Sequence, residues 1–173
     1  MIKIETKIVL FLAGQPHREF YGEEIANRVK CSKASASGIL ARLAEKKIIL
    51  KKLRGRMKFY QINTADINVK KMKIDLALKE TATLVAKLKK HSQRLILFGS
   101  ASRGEQTVES DIDLFIATNH KDKVLKILAG HKNKKIKAIV KTPSEWAETE
   151  IKEPELYYEI KNGITLYNYV PRI

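Results

Sequence analysis

The chain has 173 residues, 44% of them apolar, and a formal net charge of +15; that is enough for one domain or two small ones with real cores. No apolar run approaches the roughly 18 residues that a membrane helix needs, and charges interrupt the first residues where a signal segment would be apolar, so a cytoplasmic location with no membrane partner is expected. A single cysteine, Cys31, excludes an intrachain disulfide or a cysteine-based metal cluster.

Charge is unevenly placed. Residues 1–65 hold 14 Lys and Arg against 5 Glu, a net of +9, and residues 66–90 hold 7 against 3 acids, a net of +4. Residues 91–173 hold 13 against 11, only +2. A basic N-terminal half is an electrostatic footprint for a polyanion, of which nucleic acid is the most common.

In chain order, Ile4 to Ala13 carries apolar residues at Ile4, Ile8, Val9 and Leu12, a helical stripe closed by Gly14 and Pro16. Tyr21 to Val29 reads as a second, short helix. Ser32 caps a third, Lys33 to about Lys46, whose Ala36, Ile39, Leu40 and Leu43 share one face. Two apolar runs, Ile48 to Leu53 and Met57 to Ile62, read as strands around Arg54-Gly-Arg56, a hairpin with a basic tip. Helix, helix, helix, strand, basic hairpin, strand resembles the winged helix-turn-helix domain of prokaryotic transcription regulators. The resemblance implies that double-stranded DNA is the partner, with the third helix in the major groove and the wing on the adjacent backbone. Lys33, Ser35, Ser37 and Arg42 would then face DNA, with Arg54 and Arg56 at the wing. Gly38 sits mid-helix, where glycine costs about 1 kcal/mol relative to alanine; close approach of a partner's backbone would account for it.

Asp66 to Lys90 has Met72, Leu76, Ala77, Leu84, Val85 and Leu88 at mostly helical spacing, with seven lysines interspersed and no Gly- or Pro-rich linker. One long basic amphipathic helix is expected here, suited to packing on the second domain or to pairing in a homodimer.

Next comes the most specific motif of the chain. Leu95 to Phe98 reads as a buried strand running into Gly99-Ser100, with Arg103-Gly104 following. Ser110-Asp-Ile-Asp-Leu-Phe-Ile116 then places Asp111 and Asp113 on one face of another strand, with Ile112, Leu114 and Ile116 on the opposite face. A turn whose amides can meet phosphate, followed by two converging carboxylates, is a metal–nucleotide layout. These residues resemble the signature of the minimal nucleotidyltransferases of the DNA-polymerase-beta superfamily. The resemblance implies that Gly99, Ser100 and Arg103 bind NTP phosphate, that Asp111 and Asp113 are the catalytic carboxylates holding Mg²⁺ or Mn²⁺, and that a third carboxylate lies on a later strand. The later strand is expected at Lys135 to Thr142, yet no Asp or Glu occurs between Asp122 and Glu145. The position expected to be acidic falls at Lys137, Ala138 or Ile139. Two-metal transfer depends on negative charge to hold both ions, so nucleotide binding is better supported than turnover.

Further on, His120 to Gly130 reads as a helix, Ile136 to Val140 as a strand, and Thr142-Pro143 as a helix start. Pro154 to Lys161 reads as a helix stopped by Asn162-Gly163, and Ile164 to Tyr169 as a last strand. The expected architecture is α+β: a DNA-binding winged helix over 1–65, a connecting helix over 66–90, and a small mixed-sheet nucleotidyltransferase-like α/β domain over 91–173. The expected function is that of a regulator-like protein binding Mg-NTP with reduced or absent transfer. The alternative is an active nucleotidyltransferase acting on a small molecule or on a protein acceptor such as a toxin partner.

Overall fold

The computed structural model describes residues 3–169. They divide into two compact units, one running to Lys73 and including Thr107–Glu109, the other comprising Ile74–Gln106 and the residues from Ser110 onward.

The first unit holds helices α1 (Ile4–Gly14), α2 (Gly22–Val29) and α3 (Lys33–Glu45), and strands β1 (Phe20–Tyr21), β2 (Ile49–Arg54) and β3 (Met57–Ile62). The strands form an antiparallel sheet in the order β1-β3-β2. Ile8, Leu12, Phe20, Ile25, Leu40, Leu43 and Ile49 bury the shared faces of helices and sheet in one core, and Phe11 packs on Phe20 with ring centroids 4.7 Å apart. Ser32 caps α3 as expected, its Oγ accepting the Ser35 N–H at 3.1 Å. This order of elements is compatible with a winged helix. One local expectation is corrected: Tyr21 is not the first residue of the second helix. Phe20 and Tyr21 pair instead with Tyr60 and Phe59 of β3, because the edge of β3 offers backbone partners and the buried Phe20 anchors the strand in the core.

Helix α4 (Ile67–Leu88) is a single 22-residue helix followed by a 3₁₀ turn at Lys89–His91. Val69 packs in the first unit's core and Ala77, Leu84 and Leu88 in that of the second.

The second unit continues with β4 (Arg94–Phe98), α5 (Gly99–Arg103), β5 (Ile112–Ala117), α6 (Lys121–Ala129), β6 (Ile136–Lys141), α7 (Pro143–Lys152), α8 (Pro154–Lys161) and β7 (Ile164–Asn168). Its mixed sheet has the order β6-β5-β4-β7, with β5 and β6 parallel and the other pairs antiparallel. Ile112, Leu114 and Ile116 face a core completed by Leu84, Leu88 and Val124, as their alternation predicts. The other face is also buried: Ile96, Phe98, Phe115 and Ala117 pack with Ile160, Trp146 and Leu156 of α8 and α7. The central strands are therefore covered on both sides, which is why they read as near-continuous apolar runs. Gly163 lets the chain turn from α8 into β7, since a Cβ there would lie 2.5 Å from the Leu97 carbonyl oxygen. Thr142 starts α7 with a capping box, its hydroxyl accepting the Glu145 N–H and its own N–H donating to the Glu145 carboxylate. Among the described residues, no helix is long and apolar enough to cross a membrane.

Candidate nucleotide site and candidate DNA-binding face

The C-terminal end of β4 and the N-terminal end of β5 bring the motif residues together. Phe98 pairs with Asp113 across the antiparallel ladder, so the turn at Gly99 lies beside that carboxylate. Gly99 adopts φ +68°, a conformation glycine takes without strain. It also has to be bare: a Cβ there would stand 2.5 Å from Asp113 Oδ2. Any side chain at 99 would therefore push the carboxylate off its place. Ser100 follows, half-buried, in the five-residue α5, and Ser102 Oγ ties the turn by donating to the Gly99 carbonyl at 2.8 Å.

Asp111 is exposed just ahead of β5, while Asp113 is partly buried in its second position. Burial is the main cause that lifts the Asp113 carboxyl above the usual carboxylate range, with the negative charges of Asp111 and then Glu159 adding to it. Glu159 enters from α8, and sequence reasoning missed it. No signal could have found it, because only the packing of α8 against β4 carries it to this end of the sheet. Arg103 closes the group. Its Nε donates to Glu105 Oε2 at 2.9 Å and its Nη1 to Glu159 Oε1 at 3.3 Å, and these bonds raise its pKa further. The guanidinium that the resemblance assigns to phosphate is thus held by two carboxylates in this structure.

Of the three positions that sequence alone left open, register puts Lys137 and Ile139 on the Asp113 face, Lys137 directly opposite it. Asp113 pairs with Lys137 in the parallel β5–β6 ladder, and directly paired residues share a face of the sheet. Ala138 packs in the opposite cluster, with Leu114. Glu145 is engaged by Lys121 and by the α7 cap.

Among the described residues, no three His, Cys, Asp or Glu side chains converge closely enough to hold a metal ion. The two carboxylates nonetheless fit a hard cation, since Mg²⁺ is commonly held by one or two carboxylates with substrate phosphates and water filling the remaining positions. The raised Asp113 carboxyl, with acidic neighbours beside it, is the environment that a cation would relieve.

In the first unit, Lys33, Ser35, Ser37, Arg42, Arg54 and Arg56 are all exposed. On the 3.6-residue repeat of α3, Lys33 and Ser37 flank one edge of the exposed face and Ser35 and Arg42 the other. Ala34, Gly38 and Ala41 lie between them, and nothing lies within 4 Å of where a Gly38 Cβ would stand. Three of the cations are engaged by glutamates: Lys33 by Glu23 at 2.7 Å, Arg42 by Glu5 at 3.3 Å, and Arg54 by Glu19 at 2.6 Å. Glu19 also holds Lys52 at 2.7 Å; that hydrogen bond is the first cause of its lowered pKa, ahead of the charge of Arg54. Arg56 forms the tip of the hairpin together with Gly55, between Arg54 and Met57, which pair across it.

Residues 78–167, just over half of the chain, match the family model of the nucleotidyltransferase domain. The chain belongs to that family. No curated protein matches it. Among solved structures, the chain is similar to a cysteine-to-serine mutant of Lactococcus lactis ZitR in complex with DNA, with 18% identity and a TM-score of 0.38. That match covers 52% of this chain and 61% of the ZitR chain, so the chain spans less than two thirds of that protein's length, a slight likeness.

Proposed function

We infer that the second unit binds a nucleoside triphosphate with Mg²⁺ or Mn²⁺ and transfers its nucleotidyl group weakly or not at all, while the first unit binds double-stranded DNA. The observation that carries the reading is the pairing of Asp113 with Lys137. Where the family resemblance calls for a third carboxylate, this chain has an ammonium that cannot be a ligand while protonated. Asp111 and Asp113 would hold the cation, and the Gly99–Ser100 turn with Arg103 would meet the phosphates. A bound divalent cation supplies charge stabilisation to the phosphate oxygens of the transition state. Arg103 has to exchange a carboxylate for phosphate to take part, and Glu159 is the partner it would release. Lys137, exposed beside Asp113, contributes a point charge that favours holding a triphosphate over holding a second metal ion.

The nucleotide would then act as a ligand that adjusts DNA affinity or a homodimer form of a cytoplasmic regulator. A second reading, an active transferase modifying a small molecule or a protein such as a toxin partner, is favoured by one observation. The charge of Glu159 acts on Asp113, so a third acid is near the site although it comes from α8 rather than from β6.

The test is incubation of the protein with α-labelled ATP and Mg²⁺ in cell lysate, beside an Asp111→Ala control. The inference expects weak or no Asp111-dependent label on any acceptor. Strong Asp111-dependent labelling supports the second reading and overturns the first, and Glu159→Gln then tests whether α8 supplies the third carboxylate.

A further inference from the structure

At the other end of the same sheet lies a second concave site. The 3₁₀ turn with Lys89, Lys90 and His91, the lead-in residues Ser92 and Gln93, the segment after β5 with His120, and Tyr167 and Tyr169 at the end of β7 line a cleft of about 400 Å³. That volume suits a small-molecule ligand. Arg94, adjoining the cleft, pairs with Ala117, whereas the nucleotide site begins where Phe98 pairs with Asp113. At about 3.3 Å per residue, those strand lengths separate the two ends by roughly 13 Å.

Three kinds of group meet in the cleft. Lys89 and Lys90 are exposed and form no ion pair among the described residues, and the Lys89 ammonium stands 5.6 Å from the Tyr167 ring centroid. Tyr169 presents an exposed ring at 56%. Ser92 is only 8% exposed, yet its Oγ has no hydrogen-bond partner among the described residues, and neither has the buried Gln93 Oε1. The large majority of such buried side-chain groups are paired; both orphan atoms are closed to solvent, so they form a polar layer behind the cleft wall rather than contacts offered to a ligand. The wall is held in place: the Gln93 N–H donates to the Ala117 carbonyl at 2.8 Å, and the Tyr169 N–H to the Gln93 carbonyl at 2.7 Å. Thr118 Oγ1 donates to the His91 carbonyl at 2.5 Å and accepts the His120 N–H at 2.8 Å, fixing the two histidine-bearing segments together.

Cations and aromatic faces together complement a nucleotide: phosphate on the lysines and base on a tyrosine ring. A bare anion would leave the rings unused. An apolar ligand would leave the lysines unmet. We propose that this cleft is a second nucleotide-binding site, independent of the one at Asp111 and Asp113, that takes the phosphate and base of a nucleotide, either free or at the 5′ end of an RNA strand.

The test titrates the full chain in EDTA with AMP, with a 5′-phosphorylated oligoadenylate and with inorganic phosphate. The chelator silences the metal-dependent site, so this result and that of the preceding reading fail separately. AMP or the oligonucleotide should bind saturably, at least about tenfold more weakly after Lys89→Ala with Lys90→Ala, a loss of about 1.4 kcal/mol. Binding should weaken in the same direction after Tyr169→Ala, whose exposed position leaves folding intact, and should be unchanged by Asp111→Asn with Asp113→Asn. Tighter binding of the oligonucleotide than of AMP assigns the strand end as the source; equal binding assigns the free nucleotide. Absence of saturable binding of either overturns the proposal. So does phosphate binding as tightly as AMP, or a signal insensitive to the lysine pair.

Discussion

Lys137 stands directly across from Asp113 in the parallel pairing of β5 and β6. The two side chains share a face of the sheet, so the substitution with most effect on the site's charge is one that turns this ammonium into a carboxylate. Lys137→Asp is expected to raise Mg²⁺-dependent nucleotidyl transfer above the wild type in an assay with labelled ATP. Ala138→Asp serves as the contrast. Its side chain lies in the opposite, apolar cluster, so burying a charge there should lower the melting temperature by several degrees and bring no gain in transfer. A gain from Ala138→Asp and none from Lys137→Asp would mean that the strand register is wrong.

Asp113 sets function against stability. Its carboxyl titrates above the usual range, so the folded protein binds the proton more tightly than the unfolded chain does. The stability of the metal-free protein then falls as pH rises from the ordinary carboxylate value through the raised one, and the loss is complete above it. Asp113→Asn removes that cost. The variant is expected to melt a few degrees higher than the wild type at neutral pH without Mg²⁺, with the difference vanishing toward acid pH. A lower melting point at neutral pH would show that the carboxylate is satisfied by its surroundings.

How much of this could be read from the sequence follows from where the information lies. Period-two alternation carried Ile112, Leu114 and Ile116 to one face and Asp111 and Asp113 toward the other, and Gly99 declared a turn that no other residue fits. Pro154 and Gly163 bounded α8 and the start of β7 in the same way. The strand at Phe20–Tyr21 stayed hidden because two residues carry no periodicity. Glu159 and the cleft below Arg94 were hidden for a different reason: both depend on which helix and strand ends meet. His91 and His120, with no metal-ligand spacing in the sequence, become neighbours only through Thr118.

The β2–β3 hairpin offers a test of the first unit. Glu19 holds Lys52 and Arg54 together, which neutralises cations that a DNA phosphate would otherwise meet. Glu19→Gln is expected to strengthen binding to any duplex and to steepen its salt dependence. Glu19's lowered pKa also means that its ion pairs contribute stability above the ordinary carboxylate range and lose it as pH falls through the lowered value. Acid melting of the wild type, compared with Glu19→Gln, measures that contribution; coincident acid profiles would remove it.

Salt dependence separates the proposed DNA contacts. On a log–log plot, affinity should fall with a slope of about −0.9 per neutralised phosphate. Replacing Arg54 and Arg56 with alanine should flatten that slope for every sequence, whereas Ser37 or Arg42 substitutions should change sequence preference. A full-length protein whose duplex binding shows no salt dependence would contradict a DNA role for this unit.

The central claim is that Asp111 and Asp113 form a metal-dependent nucleotide site, and calorimetric titration with Mg-ATP tests it most directly. The wild type should bind Mg-ATP saturably, lose binding when Mg²⁺ is chelated, and lose at least about tenfold in affinity after Asp111→Asn with Asp113→Asn, as removal of two of the few hard ligands requires. Ser100→Ala should cost less, because the amides of the turn remain. Mg-ATP affinity left unchanged by the double substitution would contradict the account.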